Sequence, residues 1–404
     1  MSNQLTDQQP NQPLSGVTVL DFGQIYNGPY CGFLLGQAGA RVIKVESPKG
    51  EAMRGRAETT AASYPFHMLN AGKEGITLNF KSAVGQELLK KLVLKADVLV
   101  ENFAPGTLAR YGVGAETLCA INPQLVYAAG TGFGSTGPHK DYLAMDNTVQ
   151  AMSGVMSING TGEHGPMKAG PAIADFFGGV HLYSAVVTAL YNRSQTGCGS
   201  IADVSMQDSV LPSMATALGV YYYTGEVPTP AGNHHPARSA APFNVYAAKD
   251  GHVAIICIRE GHWRKVVKAM GRPELLDQSE FATMADRSAN MELLDAEVES
   301  WTLAHTKKEL FDIAQANGVI CAPVQDVKDL VNDPHLAERG SLQTVNVPTL
   351  GDVKMPKTAL RFKGVEPPKL LSSPALGQDN VAIYGELLGL DAQAVEQLQK
   401  DEAI

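Results

Sequence analysis

The chain has 404 residues, 44% hydrophobic and 18% charged, with 40 glycines and 23 prolines. That balance excludes collagen, coiled coil and disordered tail, and suits a loop-rich globular enzyme of two or three domains. With 32 Lys and Arg against 41 Asp and Glu the formal charge is −9, so the whole-molecule field repels nucleic acid and acidic membrane surfaces, and an anionic ligand needs a local basic pocket.

The polar start, residues 1–13, lacks the basic and apolar segments of a secretory signal and reads as a frayed tail. Residues 16–22 form a short apolar run of buried-strand character. Gly28-Pro29 then opens an apolar periodic stretch over 30–37, and Arg41-Val-Ile-Lys-Val-Glu46 is a second strand. Strand, helix, strand with glycine at the helix end is the grammar of a parallel βαβ unit. Apolar residues at helical spacing predict a helix over 82–96, followed by strands at 97–102 and 124–129, a long apolar helix from 175 to about 193, and a strand at 200–206.

From about 224 to 242 the composition shifts to Pro, Gly, Asn, His and Ala, as in linkers and functional loops. A second, α+β piece follows, with a strand at 251–257 and helices over 263–270, 293–303 and 307–317. A Pro-rich region at 348–374 leads to a last amphipathic helix over 391–399. The expected class is therefore α/β: a large Rossmann-like doubly wound parallel-sheet domain at 1–220, to which 340–404 returns, plus a small α+β domain at 225–335, with linkers near 221–242 and 335–375. No stretch reaches the roughly 18 apolar residues that span a bilayer, because 180–190 is interrupted by His181, Tyr183 and Ser184. A soluble protein without nucleic-acid or membrane partners is expected.

Several motifs invite chemistry. Gly130-Thr-Gly132-Phe-Gly134-Ser-Thr-Gly137 follows a strand, but no amphipathic helix opens after it, so a turn at the carboxyl edge of the sheet is the better reading than a dinucleotide loop. No Gly-x-Ser-x-Gly elbow exists. The five cysteines, Cys31, Cys119, Cys198, Cys257 and Cys321, are far apart and never form a CxxC pair. They suggest no disulfide framework or zinc site and fit reduced, cytosolic thiols; Cys198 is the one in a flexible loop context. His234-His235 point to opposite sides if extended, and no further ligand cluster supports a metal. Asp175 is different: an acid flanked by Ile173, Ala174, Phe176 and Phe177 needs a reason. Composition alone favours a helix N-cap.

Taken together, the ordered blocks carry a resemblance. They are Leu14-Ser-Gly-Val-Thr-Val-Leu-Asp21 with Gly28-Pro29, Gly39-Ala-x-Val-Ile-Lys-Val-Glu46, Asn70-Ala-Gly-Lys73-x-x-Ile-Thr-Leu78, Ala96-Asp-Val-Leu-Val-Glu-Asn102-Phe-x-Pro-Gly106 and Thr196-Gly-Cys-Gly-x-x-x-Asp-Val-Ser205. Asp250-Gly251, Gly318-Val-Ile-Cys-Ala-Pro323, Asp333-Pro334 and Leu376-Gly377 complete them. From about Pro13 onward the chain resembles the class III coenzyme A transferases, the family of formyl-CoA:oxalate and carnitine CoA transferases.

The resemblance implies that Asp175 is the nucleophile, against the N-cap reading. It also implies that Lys81, Asn102, Phe103 and Arg110 hold the nucleotide and pantetheine of CoA, with Lys73 in a matched block. It further implies an interlocked homodimer, coenzyme A as co-substrate with no permanently bound cofactor, and acyl-CoA and a small carboxylic acid as partners. Where oxalate-type members carry Gln before Gly-Pro, this chain has Tyr26-Asn27. Their glycine run is replaced by Gly232-Asn233-His234-His235-Pro236, and their Arg after the second strand by Ser47, leaving Arg54 or Arg56 as substitutes for a phosphate-binding charge. These departures, with Arg238, suggest an acid larger than oxalate, such as a dicarboxylate with succinyl-CoA as donor.

Aspartate with its ordinary pKa near 3.9 is ionised at neutral pH and needs no base to attack a thioester. Oxyanion donors are expected among the backbone N–H groups of Gly232-Asn233 or 132–137. Asp146 falls in a block near the active site of the resembled family, and a capping role is equally open. Two alternatives remain. An α-methylacyl-CoA racemase-like enzyme would need a His before Asp146, where Met145 stands, with His139 nearby; a non-catalytic acyl-CoA-binding subunit is the other.

Overall fold

A computed structural model describes residues 12–55, 60–348 and 350–404. Arg56 and most of the N-terminal tail lie outside the described residues. The chain divides into two compact units: the first comprises 1–150, 171–210 and 334–404, the second 151–170 and 211–333.

The first unit is built on six parallel strands in the order β3-β2-β1-β4-β5-β6. They are β1 (Thr18–Asp21), β2 (Arg41–Glu46), β3 (Glu74–Thr77), β4 (Val98–Glu101), β5 (Val126–Thr131) and β6 (Ser200–Ser205). In a parallel sheet covered on both faces almost every strand residue must be apolar, and β1, β2 and β4 are buried along nearly their whole length. Alternate residues feed two cores. Leu20, Ile43, Val45 and Leu99 pack on one face with α2 (Ala83–Val93). Val19, Val42, Val98 and Val126 pack on the other with α1 (Asn27–Gln37) and α4 (Ile173–Thr196). Ser82 caps α2 by accepting the Gly85 N–H at 3.0 Å, a favoured start for a helix.

Helix α4 is longer than the interrupted stretch of 180–190 suggests. On length and composition it could cross a membrane, yet Leu182, Val186 and Ala189 pack into the sheet-covering core, the placement of a core helix.

The second unit holds the antiparallel strands β7 (Phe243–Ala248), β8 (Gly251–Ile256) and β9 (Cys321–Pro323), with α5 (Ala215–Thr224), α6 (Glu260–Met270), α7 (Met291–Thr302) and α8 (Lys307–Asn317). Its core gathers Tyr246, Val253, Ile255, Trp263, Val298 and Leu310. The chain then re-enters the first unit through a hairpin, β10 (Leu342–Val347) and β11 (Gly351–Pro356), inside the region read from composition as Pro-rich linker. Alternation decides it: Val345, Val347 and Met355 face inward onto Phe33 and Leu34. Helices α9 (Asn380–Leu388) and α10 (Ala392–Lys400) close the unit. Asn380 Oδ1 accepts the Thr77 N–H at 2.9 Å and the Tyr384 hydroxyl donates to the Thr77 carbonyl at 2.8 Å, which ties the C-terminal segment to β3.

Candidate active site

Strand order reverses between β1 and β4, so their C-terminal ends splay and leave a crevice, the usual ligand site of such sheets. Two loops meet there. Ile25, in the loop after β1, has a φ of 64°, a strained conformation for a β-branched residue that neighbouring structure must enforce. The enforcement is visible: Asn102, just past β4, accepts the Gln24 N–H at 2.6 Å and donates to the Gln24 carbonyl at 2.9 Å.

Beneath this crossing lies a buried charged network. Lys73 donates to Asp21 at 2.6 Å, to Asn70 at 2.9 Å and to the Pro29 carbonyl at 3.0 Å, and Lys44 contacts Glu51 at 3.3 Å and the Gly23 carbonyl. All four ionic side chains are buried, and burial is tolerable only because each has a partner.

Two cavities open at this edge. The larger, about 900 Å³, is lined by Lys49 and Lys81, by the aromatic rings of Phe22, Phe80 and Phe103, and by C-terminal residues including Asn380 and Glu402. The smaller, about 200 Å³, is lined by Asp175, Gly130, Thr131, Gly132 and Met206, with an apolar lip from Tyr142 to Met145. Gln24 and Phe103 line both.

Asp175 is the third residue of α4 and only 8% exposed. It is not the N-cap. That position belongs to Ala172, which has no side-chain acceptor, and the capping is supplied by Asp146, at the start of α3 (Asp146–Met152). Asp146 Oδ1 accepts the N–H groups of Ala174 at 2.8 Å and Asp175 at 3.2 Å, while its Oδ2 accepts from Gln150 at 2.7 Å.

Among the described residues nothing donates a hydrogen bond to the Asp175 carboxylate. Burial, and then the charge of Asp146, push its pKa up to about 7. This corrects the expectation of an ordinary, fully ionised aspartate: burial of the carboxylate in the fold supplies a desolvation that sequence arithmetic leaves out.

Glycines set the approach of α4 to α1. A Cβ on Gly178 would stand 2.5 Å from Asn27 Nδ2, and one on Gly179 2.8 Å from the Asn27 carbonyl oxygen and 3.1 Å from the Tyr30 ring. Only hydrogen fits, so the first turns of α4 lie directly on the start of α1.

The residues singled out from sequence separate cleanly. Asp175, Asn102 and Phe103 meet at the small cavity, and Lys81 and Phe103 at the large one. Tyr26 flanks the start of α1 with its ring 5.7 Å from Phe176. Lys73 spends its donors in the buried network. Arg54 is paired with Glu46, at 3.0 and 2.7 Å, and stacks over Phe66. Arg110 donates to Thr107 at 3.2 Å on the exposed side of its helix. The charge that sequence reasoning missed is Lys49, two residues beyond Ser47, at the mouth of the large cavity. Its signal was present as a cation in a Pro-Lys-Gly turn directly after β2.

In the second unit, Gly232, Asn233 and His234 line a cavity of about 520 Å³ with Lys168, Arg238 and Asn244. His234 Nε2 lies 2.7 Å from Asp295 Oδ2, and Asp295 also accepts from Asn244 at 2.9 Å and from the Tyr246 hydroxyl at 2.6 Å. His235 turns away to pack against Phe243. No group of three or more potential metal ligands occurs among the described residues.

A six-stranded doubly wound sheet with a desolvated carboxylate beside a large cavity at the carboxyl edge of its strands is the arrangement of an α/β enzyme. The chain belongs to CoA-transferase family III, whose family model matches residues 14–380, and it is a transferase. It is 34% identical over 404 residues to succinyl-CoA–D-citramalate CoA-transferase of Chloroflexus aurantiacus, covering 99% of this chain and 100% of that protein. Acetyl-CoA:oxalate CoA-transferase of Acetobacter aceti is 34% identical over 398 residues, covering 96% and 99%. The crystal structure of a CaiB/BaiF family protein from Brucella suis superposes with a TM-score of 0.82 at 34% identity, covering 94% of this chain and 100% of that one.

Proposed function

We propose that the protein moves coenzyme A from an acyl-CoA, with succinyl-CoA as the donor, to a carboxylic acid through covalent intermediates on Asp175, as a cytosolic homodimer. The observation that carries this reading is the position of Asp175: a desolvated carboxylate in a small cavity whose Gln24 and Phe103 walls also bound a cavity of about 900 Å³ containing Lys49 and Lys81. Two cations suit the phosphates of the CoA nucleotide, and remote binding energy at that end can position the thioester at the other.

In the proposed sequence, an Asp175 carboxylate oxygen attacks the thioester carbonyl, the C–S bond breaks, and CoA leaves as thiolate from a mixed anhydride. The thiolate attacks the aspartyl carbonyl and the donor acid departs as carboxylate, giving an aspartyl-CoA thioester. The acceptor carboxylate then attacks this thioester, CoA is again released, and its return to the acceptor's acyl carbon regenerates Asp175. One high-energy acyl bond is present at every stage, so no ATP is consumed.

The racemase alternative is disfavoured by particular side chains. Met145 precedes Asp146, and His139 meets Phe133 edge-on and Tyr142 at a tilt rather than lining the Asp175 cavity. For the acid, the sequence departures from oxalate-type members favour an acceptor larger than oxalate, and a screen of mono- and dicarboxylic acids, read by mass spectrometry, tests this. Exposed Tyr221, Tyr222 and Tyr223 on α5 support burial of that helix in a dimer, tested by subunit mixing. The central claim is tested by incubation with succinyl-CoA and trapping with hydroxylamine or borohydride. An adduct on Asp175 is expected, and no adduct with any acyl-CoA would overturn the covalent role of Asp175.

A further inference from the structure

Residues 101, 102 and 103 perform three successive tasks at the end of β4. Asn102 holds both polar groups of the Gln24 backbone. Glu101 holds Phe103: its Oε2 accepts the Phe103 N–H at 2.8 Å, and its Oε1 accepts the Tyr127 hydroxyl at 3.2 Å. Gln24 and Phe103 are the two residues that line both cavities. The common wall of the site is thus pinned on each side by a side chain from one dipeptide.

Glu101 itself lines neither cavity. It is the last residue of β4 in register with β5, opposite Ala129, so beyond it the ladder no longer supplies acceptors and the Phe103 N–H depends on a side chain. The carboxyl is desolvated, its pKa raised to about 7 by burial, and hydrogen bonds in such surroundings are stronger than at a wet surface. The Phe103 ring sits 5.5 Å from Phe80, which in turn meets Phe22 at 6.4 Å and Tyr111 at 5.7 Å. Displacing the Phe103 backbone therefore moves a ring that bounds the large cavity and dislodges it from an aromatic group.

We infer that Glu101 is the positioning residue of the acyl-CoA side of the site: it fixes Phe103 at the boundary between the two cavities and so sets thioester binding without touching the substrate. The inference rests on the transferase reading for its kinetic consequence, but not for its structural one.

The test compares Glu101→Gln, which retains an acceptor for the Phe103 N–H, with Glu101→Ala, which removes it. Glu101→Ala should raise the KM for succinyl-CoA about tenfold and leave that for the acceptor acid within about twofold, while Glu101→Gln stays within about threefold of wild type on both. Hydrogen exchange of the segment 101–106, measured without substrate, should be faster in Glu101→Ala and wild-type-like in Glu101→Gln. Should Glu101→Ala fail to fold, Glu101→Asp, whose acceptor is drawn back by one methylene, should show the same direction in both readouts. Unchanged exchange and unchanged KM in the Ala or Asp variant, or equal losses in Gln and Ala, would overturn the assignment. A wild-type enzyme that transfers no CoA would remove the transferase reading instead, and exchange at 101–106 would still decide the role of Glu101.

Discussion

Asp146 and Asp175 meet at the first turn of one helix: the Oδ1 of Asp146 accepts the Asp175 N–H at 3.2 Å, while its charge adds to the burial that raises the Asp175 pKa to about 7. One carboxylate thus organises the helix start that presents the other, and at the same time makes the other harder to ionise.

If ionised Asp175 is the nucleophile, activity should rise with pH through about 7 and level off above it. The stability consequence has the opposite sense. The folded state keeps a proton on Asp175 that the unfolded chain releases near its ordinary value, so between about pH 4 and 7 stability falls as pH rises. Asp175→Asn should abolish transfer, flatten that slope, and stabilise the protein at pH 8 by on the order of 2–4 kcal/mol. Thermal melts of both proteins across the pH range check it; identical slopes would contradict the raised pKa.

Asp146→Asn keeps an acceptor oxygen for the Ala174 and Asp175 N–H groups but removes the charge. Helix capping should survive, and the midpoint of the pH–rate profile should move to lower pH. Asp146→Ala loses the cap as well, at about 1 kcal/mol, so the pair of variants separates capping from charge by melting and rate measurements.

If Lys49 and Lys81 meet the CoA phosphates as proposed, Lys49→Gln and Lys81→Gln should each raise the KM for acyl-CoA several-fold with kcat little changed, and weaken its dependence on salt, since those phosphates are remote from the thioester. A fall in kcat at unchanged KM would place them elsewhere in the reaction.

Gly179→Ala puts a methyl group against the Asn27 carbonyl oxygen, which has no free rotation by which to yield. A loss of about 1–3 kcal/mol in denaturant unfolding is expected, with lowered activity because α1 and the Asp175 turn must separate.

Lys73→Met should cost about 3–5 kcal/mol, the usual consequence of leaving a buried charge, here Asp21, without its partner. Loss of acyl-CoA binding with unchanged stability would instead place its ammonium group at the ligand.

Much of this protein is legible without coordinates. Apolar runs of four to seven residues alternating with periodic helices specify the parallel sheet, because strands buried on both faces and amphipathic helices have distinct, local signatures. Asp175 stands out for the same local reason, an acid set among apolar neighbours. The strands β3 and β9 and the hairpin β10–β11 are not legible in their own patterns, since short strands rich in Gly, Pro or polar residues carry weak signals and gain their stability from partners distant in the chain. The site was decided at that longer range. Lys49, Lys81 and Asn380 share a cavity because β2, β3 and the returning C-terminal segment pack side by side, and Lys73 is drawn inward because Asp21 is buried opposite it. A helix cap read into Asp175 proved to be the work of Asp146, 29 residues earlier in the chain. Local pattern determines which residues are apolar and where charge is anomalous; only tertiary packing decides which anomalous charge is desolvated and which one answers it, because desolvation and pairing depend on neighbours in space.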